Sequence, residues 1–250
     1  MTERADLLDL HLAALFTQDE QGSLIATNDP EADQVAAPRF YLGRSLERSV
    51  LRFRSGMDAS TRAALRDLAA PDLTPNDPNR EPVNRAAMVD LLAAEQPIQS
   101  IYFGPAFSFP ASGVIAKPLR HSGEGRNPDP STADVIAISP STIQLLSPEF
   151  AWLADELKVR NPVMAIVVDG MAVSVCFSAR STPAASEAGV ETLPEHRGRR
   201  YAGAVTAAWA DAVRRQGRIP LYSTSWTNHA SRRVAARLHL TQYATDFHIT

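Results

Sequence analysis

Glu195-His196-Arg197-Gly198-Arg199-Arg200-Tyr201-Ala202 is the stretch on which the reading of this chain turns. Upstream, Ser186-Glu187-Ala188-Gly189-Val190-Glu191-Thr192-Leu193 alternates like a strand and stops at Pro194. Downstream, Tyr201, Ala204, Val205, Ala208, Trp209, Ala212 and Val213 recur at helical spacing until Gly217 ends the pattern. A strand therefore runs through a basic, glycine-containing turn into an amphipathic helix. Free N–H groups at a helix start point outward, and the dipole there favours negative charge. Arg197, Arg199 and Arg200 add positive charge on a donor fork that suits phosphate. The segment is expected to cradle a diphosphate.

The neighbouring segments extend this order. Residues 163–168 and 172–178 flank Asp169-Gly170, a strong hairpin signal. Further strands are predicted over 135–138, 187–193, 219–225 and 241–249. A helix is expected over 141–157, its main part starting near Pro148, and another from Asn228 and Ser231 through Leu238. In the first third, 10–16 and 23–27 read as strands around the polar turn 18–22, and 40–42, 50–53 and 98–103 as three more. Ser60-Thr61 is expected to cap a helix bearing Leu65 and Leu68, and a second helix covers 84–95. Residues 117–130 hold glycine, proline and charge with nothing periodic to bury, which reads as an exposed loop or insertion. The domain boundaries follow: an N-terminal α+β domain over 1–116, a linker or insertion over 117–132, and a second domain over 133–250.

Composition narrows the function classes. The 250 residues are 44% hydrophobic and 21% charged with a formal net charge of −3, an ordinary balance with no polyanion- or membrane-binding bias. No signal peptide is expected, and apolar runs such as 163–168 are too short to span a bilayer. Cys176 is the sole cysteine, so no internal disulfide forms and a cytoplasmic setting is expected. The six histidines lack metal-ligand spacing, and no metal is expected.

The basic turn also carries a resemblance. Members of the GNAT superfamily of acyl-CoA-dependent N-acetyltransferases have Arg or Gln, two residues, Gly, one residue, then Gly or Ala at the start of the helix that holds the CoA pyrophosphate. Arg197, Gly198-Arg199, Arg200, Tyr201 and Ala202 take those positions, with Arg200 in place of the central glycine. From about Ala133 onward the order hairpin, strand, basic turn, helix, strand, Asn-containing turn, helix, strand is similar to the GNAT core. The resemblance implies an α+β fold: a GNAT-type mixed, mostly antiparallel sheet flanked by helices over 133–250, preceded by a smaller α+β domain. That first domain is either a degenerate copy of the same fold or an unrelated one. Acetyl-CoA is the implied cosubstrate and a primary amine the implied acceptor. Neither nucleic acid nor membrane is expected as a partner, and the protein is expected to be a monomer or homodimer.

Acetyl transfer from a thioester needs an amine that loses its proton, a donor for the carbonyl oxygen, and a stabilised thiolate. In GNAT enzymes two parallel strands splay and the pantetheine arm bonds to backbone in the gap; the corresponding strands here are 187–193 and 219–225. The resemblance thus assigns the backbone of Val190, Glu191 and Thr192 to pantetheine and the thioester oxygen, and Arg197, Gly198, Arg199, Arg200, Tyr201 and Ala202 to the pyrophosphate. Asn228 takes the place of an asparagine that bonds the pantetheine region, with Ser231 one turn on; Asn is equally a good helix cap. Glu187 and Glu191 are the candidate bases, sharing strand parity with Gly189, and the alternative is a solvated strand face. Many relatives place a thiolate-protonating tyrosine seven residues past that asparagine, where this chain has Ala235. They often have glycine just after the helix, where this chain has His239. Tyr243 lies in the last strand as a weaker alternative acid. Cys176 sits in Val173-Ser174-Val175-Cys176-Phe177, a context for a buried small apolar residue rather than a nucleophile.

Overall fold

Asp6 starts the first helix, α1 (Leu7–Leu15): its carboxylate accepts the Leu8 N–H at 2.8 Å. Leu8, His11, Leu12 and Leu15 then fall on one buried face. This corrects the strand expected over 10–16. A short apolar run fits either period, and here the cap and the i, i+3, i+4, i+7 spacing decide it. The computed structural model describes residues 6–30, 35–74, 77–110 and 135–250, so the expected linker over 117–132 lies outside the described residues.

β1 (Phe16–Gln18) and β2 (Leu24–Thr27) pair antiparallel around the polar turn, followed by β3 (Phe40–Arg44) and β4 (Ser49–Phe53). α2 (Ala59–Leu73) begins one turn-position earlier than expected. Asp58, not Ser60 or Thr61, is the cap, accepting the N–H groups of both. α3 (Arg85–Ala93), β5 (Ile101–Ser108) and β6 (Val135–Ala137) come next. The helix expected over 141–157 is instead two 3-10 turns, Ile143–Leu145 and Pro148–Phe150, and the single-turn α4 (Leu153–Glu156). Pro148 forces Ser147 into an extended conformation, which breaks the helix there. β7 (Val163–Val168) and β8 (Met171–Ser181) meet at Asp169-Gly170, whose φ values of 51° and 82° are both positive, as a tight hairpin turn requires. The chain ends through β9 (Ala185–Thr192), α5 (Tyr201–Arg215), β10 (Ile219–Ser223), α6 (His229–Arg237) and β11 (Thr241–Ile249).

Two compact units form, and they are not sequential halves. Unit 1 takes the described residues of 1–108 together with 223–232 and 241–250; unit 2 takes those of 109–222 and 233–240. The expected 133–250 domain therefore gives up its last strand: β11 pairs antiparallel with both β3 and β5, Phe247 facing Leu42 and Phe103. In unit 1, α1 covers one face of β3, β5 and β11, packing Leu8, Leu12 and Leu15 with Tyr41, Ala106 and Ala244. α2 and α3 cover the other face, through Leu65, Ala69, Met88 and Leu92 against Phe40, Leu42 and Phe247. Beneath α1, Asp246 accepts from Tyr41 Oη at 2.8 Å and is hydrogen-bonded to His11 Nε2, so the buried carboxylate is satisfied.

Unit 2 is built on β6, β7, β8 and β9, successively antiparallel, with β10 parallel to β9. α5 lies across β7, β8 and β9, burying Val205, Trp209, Ala212 and Val213. Trp209 Nε1 donates to Ser178 Oγ at 3.2 Å, which satisfies the one polar atom of that ring. The mixed, mostly antiparallel α+β architecture agrees with the class read from sequence. No helix among the described residues is long and apolar enough to cross a membrane.

Candidate active site

β9 and β10 run parallel for only three residue pairs, Ile219↔Ala185, Pro220↔Ser186 and Leu221↔Glu187. Beyond Glu187, β9 continues to Thr192 while pairing with β8 alone among the described residues. The expected splay between the two strands thus begins at Glu187. Strand alternation says which backbone groups face the open edge. Leu193 donates its N–H to Val173 of β8 and Glu191 lies opposite Val175, so residues 189, 191 and 193 point their amides and carbonyls toward β8. Val190 and Thr192 point theirs the other way. The Glu191 backbone is therefore not on the open edge, which corrects its assignment as a backbone contact. The Thr192 carbonyl accepts Arg197 Nε at 3.2 Å.

Side-chain direction follows the same alternation. Val190 shares a face with Ala188 and Thr192, and this is the α5 side: Val190 lies opposite Cys176, and Ala188 lies opposite Ser178, whose Oγ accepts from Trp209 of α5. Glu187, Gly189 and Glu191 occupy the opposite face. Their environments differ. Glu187 is 4% exposed, whereas Glu191 is exposed at the far end of the strand. Of the two candidate bases, Glu187 alone is buried, and it sits where the strands part.

From Thr192 the chain turns through a 3-10 turn, Pro194–His196, into the basic segment. Gly198 has φ 78° and Arg200 φ 65°, so two left-handed residues bring the chain onto the axis of α5. The position where the resemblance calls for glycine keeps the left-handed backbone with an arginine on it. Arg200 is the N-cap residue of α5, and no side chain caps the first turn. Gly198, Arg199 and Arg200 are exposed, as is Arg197, whose guanidinium reaches back to Thr192. Tyr201 is buried beneath the turn with its ring stacked on His196 at 6.4 Å, so its side chain packs the core and only its backbone belongs to the helix start. Ala202 follows in the first turn, half-buried. Leu238, just past α6, lies 4.0 Å from where a Cβ on Gly203 would stand, so the end of α6 packs beside the start of α5.

Asn228 and Ser231 belong to unit 1. Asn228 Oδ1 accepts the Ser231 N–H at 3.0 Å, the helix-cap arrangement, at the start of α6. The Asn228 loop is tied to β5 through Trp226, whose N–H donates to the Phe103 carbonyl at 3.1 Å. Ala235 is buried in α6, and His239, with φ 52°, is the left-handed residue that ends that helix. Cys176 is fully buried, and burial pushes its thiol well above the ordinary range, which removes it as a nucleophile. Among the described residues no group of three or more His, Cys, Asp or Glu could hold a metal ion. One neighbour of the site was not foreseen in the sequence: Phe177, whose ring lies on Gly189. Phe177 and Gly189 are an ordinary strand pair in sequence, and nothing short of the register brings them together.

Residues 164–244 match the GNAT acetyltransferase family model, which bears out the resemblance of the C-terminal half. No curated protein matches the chain. Among solved structures, the chain is similar to a protein from Novosphingobium aromaticivorans assigned as a GNAT-family acetyltransferase, at 16% identity and TM-score 0.44, covering 61% of this chain and 65% of that one, just under two thirds of its length. It is similar to a GCN5-related N-acetyltransferase-like protein from Streptococcus suis, at 15% identity and TM-score 0.47, covering 86% and 85%. It is also similar to a Salmonella typhimurium protein assigned as an acetyltransferase and solved with its cofactor acetyl-CoA, at 20% identity and TM-score 0.33, covering 41% and 70%.

Proposed function

We propose that this chain moves an acetyl group from acetyl-CoA to a primary amine by direct transfer. The reading is carried by the β9 edge, which leaves β10 after Leu221↔Glu187 and leads within a few residues into an arginine-rich turn at an uncapped helix start. These residues fit the cosubstrate. Backbone groups at Val190 and Thr192 suit an amide-bearing pantetheine arm, and the N–H groups of the first turn of α5, with Arg199 and Arg200 beside them, suit a diphosphate. Bound there, acetyl-CoA would supply the activated thioester.

The chain's own groups then divide the work. Val190 and Thr192 amides on the open edge would donate to the thioester oxygen as negative charge develops on it. Glu187, its carboxylate buried on the other face, would accept the proton of the attacking amine as the N–C bond forms; the C–S bond then breaks and CoA leaves as a thiolate that takes its proton from solvent. Glu191, exposed on that same face, would attract a cationic acceptor. Titration calorimetry with acetyl-CoA tests the first step: heat at sub-millimolar ligand is expected, and none would overturn the reading. Thiol release over a panel of amines tests turnover. Glu187→Gln is expected to lower kcat by about 10²–10⁴ while acetyl-CoA still binds, and intact turnover would remove Glu187 as the base.

One observation favours a second reading, a GNAT-fold module that binds CoA without turnover. The position given to a thiolate-protonating tyrosine in many relatives is a buried alanine, Ala235. Heat with acetyl-CoA and no thiol release with any amine would establish that reading.

A further inference from the structure

The face of β9 that carries Glu187 and Glu191 is interrupted between them by Gly189, and the Phe177 ring fills the place of the missing side chain. A Cβ at Gly189 would stand 2.5 Å from Phe177 Cε2 and 2.7 Å from Cζ, closer than such atoms approach. The ring is not free to retreat. Trp152 packs edge-on against it at 5.1 Å between centroids, and the Arg160 guanidinium lies over it at 5.6 Å and over Trp152 at 5.5 Å. Arg160 is itself buried and held, donating Nε to Glu156 at 2.6 Å and Nη1 to the Ala179 carbonyl at 2.7 Å.

Ala179 is the extra residue of a β-bulge. β8 pairs Ser178 with Ala188 and then Arg180 with Glu187, leaving Ala179 without an opposite. A bulge bends its strand and increases the local twist. This one lies across from Glu187, the last residue of β9 that β10 pairs. Three features therefore coincide at one point: the bulge in β8, its anchor Arg160, and the ring that Arg160 braces against Gly189. Together they act on β9 from the β8 side at the place where β9 leaves β10.

We propose that Phe177, seated on Gly189 and braced by Trp152 and Arg160, is a positioning residue for the transfer reaction. It sets the open edge of β9 so that the Val190 and Thr192 backbone groups meet the thioester. The inference rests on the acyltransferase reading. It further requires that the thioester end of the ligand depend on Phe177 while the phosphate end, held at the start of α5, does not.

Two ligands separate those ends: acetyl-CoA, and 3′-phospho-ADP, which lacks the pantetheine arm. Gly189→Ala is expected to weaken acetyl-CoA about tenfold, the scale of a displaced but intact contact, and to leave 3′-phospho-ADP within about twofold of wild type. Phe177→Leu, which removes the ring from an unaltered glycine, is expected to give the same split. The double variant Gly189→Ala/Phe177→Leu refills the space and is expected to recover acetyl-CoA affinity to within about threefold. A substitution that only loosened the fold would weaken both ligands together and would not be rescued. The proposal is overturned if both ligands weaken in parallel, if neither changes, or if the double variant is no better than its parents. Should Gly189→Ala fail to fold, Phe177→Leu carries the test alone, by the same split. Wild-type protein that binds no acetyl-CoA would instead overturn the functional reading, a result visible before any variant is made.

Discussion

Arg200 offers the most direct test of how the basic turn works, because its backbone and side chain make opposite predictions. The residue holds φ 65° and ψ 8° at the N-cap of α5. A left-handed conformation costs an L-residue about 1–2 kcal/mol, which Arg200→Gly would relieve. Glycine gives back about 0.5–1 kcal/mol through its greater freedom in the unfolded chain. The difference is a gain of up to about 1.5 kcal/mol, or up to about 3–6 °C in Tm for a chain of this size. Binding moves the other way. A charge-assisted hydrogen bond to a phosphate is worth about 1.5–3 kcal/mol, and an exposed one lies at the lower end, so removing the guanidinium should weaken acetyl-CoA about tenfold. The loss should shrink as salt is raised, since the contact is exposed and screened. Calorimetric titration at low and high salt, beside thermal unfolding of both proteins, reads all three quantities. Binding as tight as wild type or tighter would refute the assignment of Arg200 to the phosphates, leaving it a strained substitute for glycine. A Tm several degrees below wild type would refute the strain argument.

Other outcomes test the fold that holds the site. The buried Asp72 carboxylate accepts from Arg44 at 3.0 Å and from the Val83 N–H at 2.9 Å, so Asp72→Ala leaves a guanidinium that is 2% exposed without this carboxylate, donating, among the described residues, only to the Pro78 and Arg80 carbonyls. It should cost about 3–5 kcal/mol by urea unfolding; a loss below about 1 kcal/mol would show that the pair is dispensable. Cys176 should resist alkylation at mildly alkaline pH in the native protein and react once unfolded in urea, because burial raises its thiol far out of range; fast native labelling would contradict its placement. Asp6 is held below its ordinary 3.8, first by the Arg48 hydrogen bond and also by the Leu8 amide. A carboxylate whose folded value is depressed stabilises the protein above the unfolded value and loses that contribution as pH falls through the folded one. Asp6→Ala should therefore lower stability at neutral pH by about 1 kcal/mol as a lost helix cap. It should also flatten the acid limb of Tm against pH below 3.8; an unchanged acid limb would contradict the pairing with Arg48.

How much of this was legible in the sequence depended on whether local chemistry was decisive. Asp169-Gly170 can hardly be anything but a tight hairpin turn, and both residues have positive φ. Gly217, at φ 77°, likewise stops α5 where the periodicity ends. Near the N-terminus the signal was ambiguous: apolar residues crowd positions 7–16, and only the Asp6 cap and the packing of one face choose helix over strand. The path of the last strand was not legible at all. Nothing within Thr241–Ile249 says that its partners are β3 and β5, because pairing between distant segments is settled by which apolar faces meet. The candidate bases divide in the same way: strand parity put Glu187 and Glu191 on one face, but only the end of the β10 pairing buries one and leaves the other exposed.

The two departures from the family pattern acquire a common meaning from the backbone. Arg200 stands where the GNAT resemblance places glycine and His239 where it often does, and a missing glycine read from sequence suggests a loop that has changed its path. In the structure Arg200 has φ 65° and His239 φ 52°, so both turns keep a conformation that favours glycine and tolerate a side chain on it. Each costs on the order of 1–2 kcal/mol, which the packing around the turns must offset. For Arg200 that packing includes the buried Tyr201 and its stacking on His196; for His239 it includes the buried Leu238 beside Gly203. Both turns thus display a polar side chain on a backbone that favours glycine. At the start of α5 that side chain is an exposed guanidinium, and the change in acetyl-CoA affinity on Arg200→Gly reads what it contributes.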